Sequence, residues 1–128
     1  MVTLVCGLPN AGKTCYVGHG GLHLDDFQFG YVECNEAVAS SKKDICVEGL
    51  YGTIKRRMQL LSMVRGEKTV CVWLDTPVEV CIERERNGRK RGDSFVLHHA
   101  KMFEPPSLDE GWDEIIIIRG EHEQHCYR

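Results

Sequence analysis

Eight residues near the start of the chain, Gly7-Leu8-Pro9-Asn10-Ala11-Gly12-Lys13-Thr14, restrict the possible folds more than anything else in the sequence. They fit G-x-x-x-x-G-K-[ST], a pattern in which a buried strand runs into a glycine-rich loop and out into a helix. The apolar run Val2, Thr3, Leu4, Val5, Cys6 supplies the strand. In such a loop the backbone N–H groups wrap a β-phosphate, and the helix that follows adds the positive end of its dipole. Gly7, Pro9, Asn10, Ala11, Gly12, Lys13, Thr14 and Cys15 are therefore the candidate nucleotide-binding residues. Lys13 would reach the β- and γ-phosphates, and the Thr14 hydroxyl would bind Mg²⁺. The alternative is an ordinary Gly-rich strand-to-helix turn; the apolar strand ahead of the loop counts against it.

A chain of 128 residues is expected to form one domain, 1–128, large enough to bury a core without disulfides. Its net charge of −3 gives no global basic field, which excludes strong nonspecific adhesion to nucleic acid or anionic membranes. Any nucleic-acid contact has to come from a local patch. The seven cysteines, an odd number with no C-x-x-C, read as buried free thiols of a reducing cytoplasm rather than as disulfides or zinc ligands. The N-terminus lacks a basic segment followed by a long apolar stretch, and no apolar run approaches a membrane span. A cytoplasmic location is the expectation.

Strand signals fall at Val2–Cys6, Leu22–Leu24, Ile45–Glu48, Thr69–Leu74 and Glu114–Ile118. Three are almost continuously apolar, as strands covered on both faces are, and Ile115–Ile118 is the plainest case. Helical signals lie between them: a weak one at Glu33–Ser41, and a better one at Thr53–Val64 with Ile54, Met58 and Leu61 on one face. Thr76-Pro77-Val78-Glu79 reads as a capping box opening a helix. Asp93 or Ser94 would cap a last helix that turns Val96, Ala100 and Phe103 inward before Pro105-Pro106 ends it. Strand and helix in alternation predict a parallel α/β sheet with right-handed crossovers, whose ligands bind at the carboxyl ends of the strands.

The remaining chemistry-bearing residues fall at such ends. His23-Leu24-Asp25-Asp26 closes the second strand. One carboxylate of the pair could accept a proton from an attacking hydroxyl while the other helps hold Mg²⁺ or the acceptor; a helix N-cap in a solvated turn is the bland alternative. Glu48 closes the third strand, where an acid can orient the Mg²⁺ hydration shell or simply sit exposed. The candidate metal residues are thus Thr14, Asp26 and Glu48. Residues 84–93 carry Arg84, Arg86, Arg89, Lys90 and Arg91 with glycines at 88 and 92, which reads as a mobile lid whose guanidinium forks cover γ-phosphoryl oxygens. A basic helix end complementing the dipole is the alternative. Lys55, Arg56 and Arg57 could hold acceptor phosphates or form a solvated face. His122-Glu123-Gln124-His125 lacks H-E-x-x-H spacing and reads as a polar tail. His98 and His99 belong to the last helix surface, and Trp73 and Trp112 to the packing.

GLPNAGKT, then LDDF, then an arginine-rich stretch after LDTP, then FEPP…GWDEIIII, resemble the small P-loop kinases of the bacteriophage polynucleotide 5′-kinase type over nearly the whole chain. The loop is general to many nucleotide enzymes; LDDF and the FEPP…WDEI ending are more specific to this group. The resemblance implies a three-layer adenylate-kinase-like fold with a parallel five-stranded sheet in the order 2-3-1-4-5, and transfer of a γ-phosphoryl from ATP or another triphosphate to a hydroxyl. It makes Asp25 the general base, Lys13 and Thr14 the phosphate and Mg²⁺ ligands, and Arg86, Arg89 or Arg91 the lid arginines. The sequence departs from the group where Phe27-Gln28 follow the acid pair in place of an arginine. The glycines at 18, 20 and 21 also stunt the first helix.

The expected function is a Mg²⁺-dependent kinase acting on a hydroxyl, foremost the 5′-OH of a polynucleotide. A hydroxyl acceptor needs a base such as Asp25, whereas a phosphate acceptor arrives ionised. Nucleoside, nucleotide, sugar or other small-molecule kinases are the alternative. A monophosphate acceptor would need cations, yet residues 22–48 hold only Lys42 and Lys43 against Asp25, Asp26, Glu33, Glu36, Asp44 and Glu48. A non-catalytic nucleotide-binding module is the alternative of another class; no guanine-reading N-K-x-D occurs.

Overall fold

The structure, a computed structural model, describes residues 1–120; the 122–125 segment and Cys126 lie outside them. The elements run β1 (Val2–Gly7), α1 (Lys13–Val17), β2 (Leu22–His23), a 3₁₀ turn (Leu24–Asp26), α2 (Gly30–Ser40), β3 (Ile45–Glu48), α3 (Ile54–Met63), β4 (Thr69–Asp75), α4 (Val78–Asn87), α5 (Asp93–Met102), a second 3₁₀ turn (Leu108–Glu110) and β5 (Glu114–Arg119). All strand pairs are parallel, in the order β2-β3-β1-β4-β5. This is the expected sheet.

Alternation along the strands divides the core into two layers. Val2, Leu4 and Cys6 of β1 and Cys71 of β4 face α2 and α3, where they pack with Cys34, Val38, Tyr51, Leu60 and Trp112. Val5 of β1 and Val70, Val72 and Leu74 of β4 face the other way, against Cys81 of α4 and Val96 of α5. Burying these two apolar faces is the main force holding the layers together. A hydrogen-bonded staple adds to it on the α3 side: Arg57, fully buried, donates to both carboxylate oxygens of Glu110 (2.8 and 3.0 Å) and to the carbonyls of Tyr51 and Glu104. Glu110 completes a capping box with Ser107. The segment after α5 is thereby tied to α3.

Several local expectations change. Ile115–Ile118 is not covered on both faces: β5 is an edge strand, and Ile116 and Ile117 are exposed. The second strand stops at His23, because Leu24 already belongs to the 3₁₀ turn. α2 starts at Gly30, three residues before the weak signal, using the positive φ of that glycine. Asp93 lies in the first turn of α5, with Gly92 as its cap. The Thr76 capping box does not form; α4 is capped by Pro77 without a side-chain bond, and the Thr76 hydroxyl donates instead to Ala11 O at 2.8 Å. A long-range partner on the phosphate loop outcompetes the local one. For α3 the expected limits are its caps, Thr53 accepting from Arg56 N–H and Val64 closing the last turn. Among the described residues no helix is long and apolar enough to cross a membrane, and the cysteines there are all free.

Candidate functional site

β1 delivers the Gly7–Thr14 loop to the carboxyl edge of the sheet. A Cβ at Gly7 would stand 2.8 Å from Leu74 O and 3.2 Å from the Ala11 side chain, so only glycine lets the loop leave β1 this close to β4. Asn10 and Gly12 take positive φ values of 67° and 104° and turn the loop into α1, the nest-forming geometry that points N–H groups inward. Three long-range bonds hold the loop. Asn10 Nδ2 donates to Glu85 Oε1 at 2.8 Å, Arg84 Nη1 donates to Asn10 O at 2.9 Å, and Thr76 Oγ1 donates to Ala11 O. None of the three is visible as a motif.

Lys13 folds back over the loop, its Nζ donating to Leu8 O at 2.7 Å and Gly7 O at 3.2 Å. Burial pushes its ammonium below the usual value, partly offset by the charge of Glu48. Thr14 Oγ1 donates to Glu48 Oε2 at 3.0 Å. The same oxygen lies 2.7 Å from His23 Nδ1, and His23 Nε2 lies 2.8 Å from Gly18 O. Both ring nitrogens thus face oxygen acceptors. Sequence reasoning passed over His23. The available signal was its place beside Glu48, one strand over, which only the β2–β3 register makes visible.

Pro9, Asn10, Gly12, Lys13, Thr14, Cys15, Asp25, Glu48, Gly49, Leu50, Arg89 and Arg91 line one cleft of 230 Å³. Asp25, on the 3₁₀ turn, is exposed on its rim, and Arg89 Nη2 approaches its Oδ2 at 3.8 Å. Not every expected residue comes in. Asp26 does not line the cleft; adjacent residues on a 3₁₀ turn point about 120° apart. Arg86 is also outside, held at the surface by Asp93 through two bonds of 2.9 and 2.5 Å. Arg91 lines the cleft, but its guanidinium is clamped by Glu85 (2.9 and 2.7 Å) and stacks on Phe95. The hydrogen bonds from Arg91, with help from Asn10, hold the Glu85 carboxyl down at about 2. That leaves Arg89, two-thirds exposed, as the arginine of the group directed at the rim. Gly7 and Ala11 support the loop from behind. Of the basic trio, Arg57 is buried against Glu110, and Arg56 lies 4.0 Å over the Tyr31 ring.

The oxygen donors that meet here, the Thr14 hydroxyl and the Glu48 carboxylate, suit a hard cation such as Mg²⁺. The described residues hold no cluster of three or more His, Cys, Asp or Glu side chains able to cage a metal. A cation at this corner would take most of its ligands from phosphate and water, as Mg²⁺ does.

No sequence-family profile and no curated protein sequence matches the chain. Among solved structures it is similar to shikimate kinase from Acinetobacter baumannii in complex with shikimate, with a TM-score of 0.57 and 16% identity over 90% of this chain and 82% of that one. The likeness does not single out the polynucleotide 5′-kinase group. It shows the fold: like that kinase, this chain has a five-stranded parallel sheet, here in the order 2-3-1-4-5, flanked by helices.

Proposed function

We propose that the protein is a kinase that moves the γ-phosphoryl of ATP, or another nucleoside triphosphate, to a hydroxyl. The observation that carries this reading is that Lys13, Thr14, Glu48, Asp25 and Arg89, drawn from four separate segments, line a single cleft. In this reading the loop and Lys13 hold the β- and γ-phosphates. Thr14 and Glu48 would hold a Mg²⁺ ion with its hydration shell, which would supply positive charge against that of the phosphates. Asp25 accepts the proton of the acceptor hydroxyl, and Arg89 swings from Asp25 onto the γ-phosphoryl oxygens as the nucleotide arrives. Asp26 and Arg86 have no direct part in this assignment, and Arg91 braces the lid.

For the acceptor we propose the 5′-OH of a polynucleotide. The support is the group resemblance of LDDF and FEPP…WDEI together with exposed aromatic surface just past Asp25, where Phe29 is 71% exposed. Base stacking on an aromatic side chain is a common way to hold a nucleic-acid end. A small hydroxyl-bearing substrate is the second reading, favoured by the shikimate kinase likeness. A monophosphate acceptor has less support than the sequence allowed, because Arg57 is sealed in the Glu110 pair.

Incubation with γ-labelled ATP and Mg²⁺ tests this, using 5′-OH DNA, 5′-OH RNA, nucleosides, nucleoside monophosphates, aminoglycosides and a polyhydroxy acid as acceptors. Label on the 5′ end supports the polynucleotide reading, and label on a small alcohol supports the second. ATP binding with transfer to none would recast the protein as a nucleotide-binding module.

A further inference from the structure

Four hydrogen bonds close a ring beneath the phosphate loop. Gly18 N–H donates to Thr14 O at 2.9 Å, and Thr14 Oγ1 donates to Glu48 Oε2 at 3.0 Å. Glu48 Oε2 meets His23 Nδ1 at 2.7 Å, and His23 Nε2 donates to Gly18 O at 2.8 Å. The side chains of His23 and Glu48 are 3% and 7% exposed, so water does not compete for these bonds. The β2–β3 register sets the two residues side by side. α1, which carries Thr14, has five residues and halts at Gly18. A helix that short does not hold its own geometry. The direction of the Thr14 hydroxyl is therefore fixed from outside the helix, and His23 grips both the end of α1 and the carboxylate that Thr14 contacts.

We propose that His23 is a positioning residue for the metal–phosphate corner: it fixes Glu48, and through Glu48 the Thr14 hydroxyl, in the arrangement that a divalent cation on a bound triphosphate requires. This rests on the nucleotide-binding reading above. Outer-shell partners of this kind typically change metal affinity by about 10–100-fold when removed. A histidine that merely fills the core would instead affect binding with and without metal alike.

The test is binding of a fluorescent ATP analogue to the full chain, first in EDTA and then across a MgCl₂ titration, so that the gain due to Mg²⁺ is read separately from the metal-free affinity. His23→Leu is expected to lower the Mg²⁺ gain by about 10-fold or more while changing the EDTA affinity less than about twofold. His23→Asn, whose amide can still donate to Glu48, should recover most of the gain. In a Glu48→Ala background, His23→Leu should have no further effect, because its route is already cut. Equal losses in EDTA and Mg²⁺, or additive losses with Glu48→Ala, would overturn the proposal. Where His23→Leu fails to fold by thermal melt, His23→Ser, too short to reach Glu48, replaces it under the same criteria. A wild-type chain that binds no nucleotide under either condition is a different result; it removes the nucleotide reading itself, and the role of His23 with it.

Discussion

On the sheet side of the cleft Lys13, His23 and Glu48 are buried, and each side chain is already hydrogen-bonded within the fold. On the outer side Asp25 and Arg89 are each about two-thirds exposed and meet in a surface ion pair of 3.8 Å. The inner wall is finished before any ligand arrives, its order maintained by burial. The outer wall consists of groups whose pairings are worth about 0–1 kcal/mol each and are easily exchanged. On the proposed reading this division separates gripping from reacting: fixed groups hold a polyanion, and loosely held ones reorganise around the group being transferred.

The comparison breaks first at Lys13. Lys13→Ala removes the buried ammonium folded over the loop, so triphosphate binding by calorimetry and label transfer should both fall to background; normal binding would dissolve the distinction between the walls. Arg89→Ala should lower kcat by on the order of 10³-fold, the low end for a supplied arginine, with ground-state ATP affinity within a few-fold. Arg86→Ala should change kcat less than about threefold, since its partner is Asp93 at the surface. Equal effects of the two would mean that the rim geometry does not decide which arginine acts. Asp25→Asn should cost on the order of 10²-fold in transfer, the low end for a positioned base, while nucleotide binding persists. A parallel loss of binding would move Asp25 to the gripping wall.

The smallest effects concern acid and alkali. Glu85 titrates in the fold at about 2, below its unfolded value of 4.5. Its contribution to stability is therefore complete above that unfolded value and declines as the pH falls from there toward 2. Glu85→Gln should remove this part of the acid sensitivity, read as the pH dependence of the melting temperature. Lys13 carries the opposite sign. Its value in the empty fold is lowered by burial, so in alkaline buffer triphosphate binding should take up protons, measurable as a dependence of binding heat on buffer ionisation enthalpy.

What could be read from the residues alone was what short-range rules decide. The loop, its strand, the limits of α3 at Thr53 and Val64, and the parallel sheet follow from spacing and apolar period. What escaped depends on partners far along the chain. Thr76 looks like a cap until Ala11 O is brought to it, and Arg57 looks like a surface cation until Glu110 meets it 53 residues away. His23 looks like one more polar residue before an acid pair until the sheet register sets it against Glu48. The isoleucines of β5 show the opposite failure: four in a row read as an interior strand, yet topology puts them at an edge.

The 3.8 Å approach of Arg89 to Asp25 has a further result for traffic through the cleft. On the proposed reading, the guanidinium and the carboxylate neutralise each other across the doorway, so neither substrate meets a bare charge on entry. An incoming triphosphate draws the guanidinium to itself, and the same displacement uncovers the carboxylate for the alcohol. Within the roughly 0–1 kcal/mol that such a pair is worth, the door on this reading favours the donor before the acceptor and makes a futile encounter between alcohol and base less frequent while the nucleotide is absent.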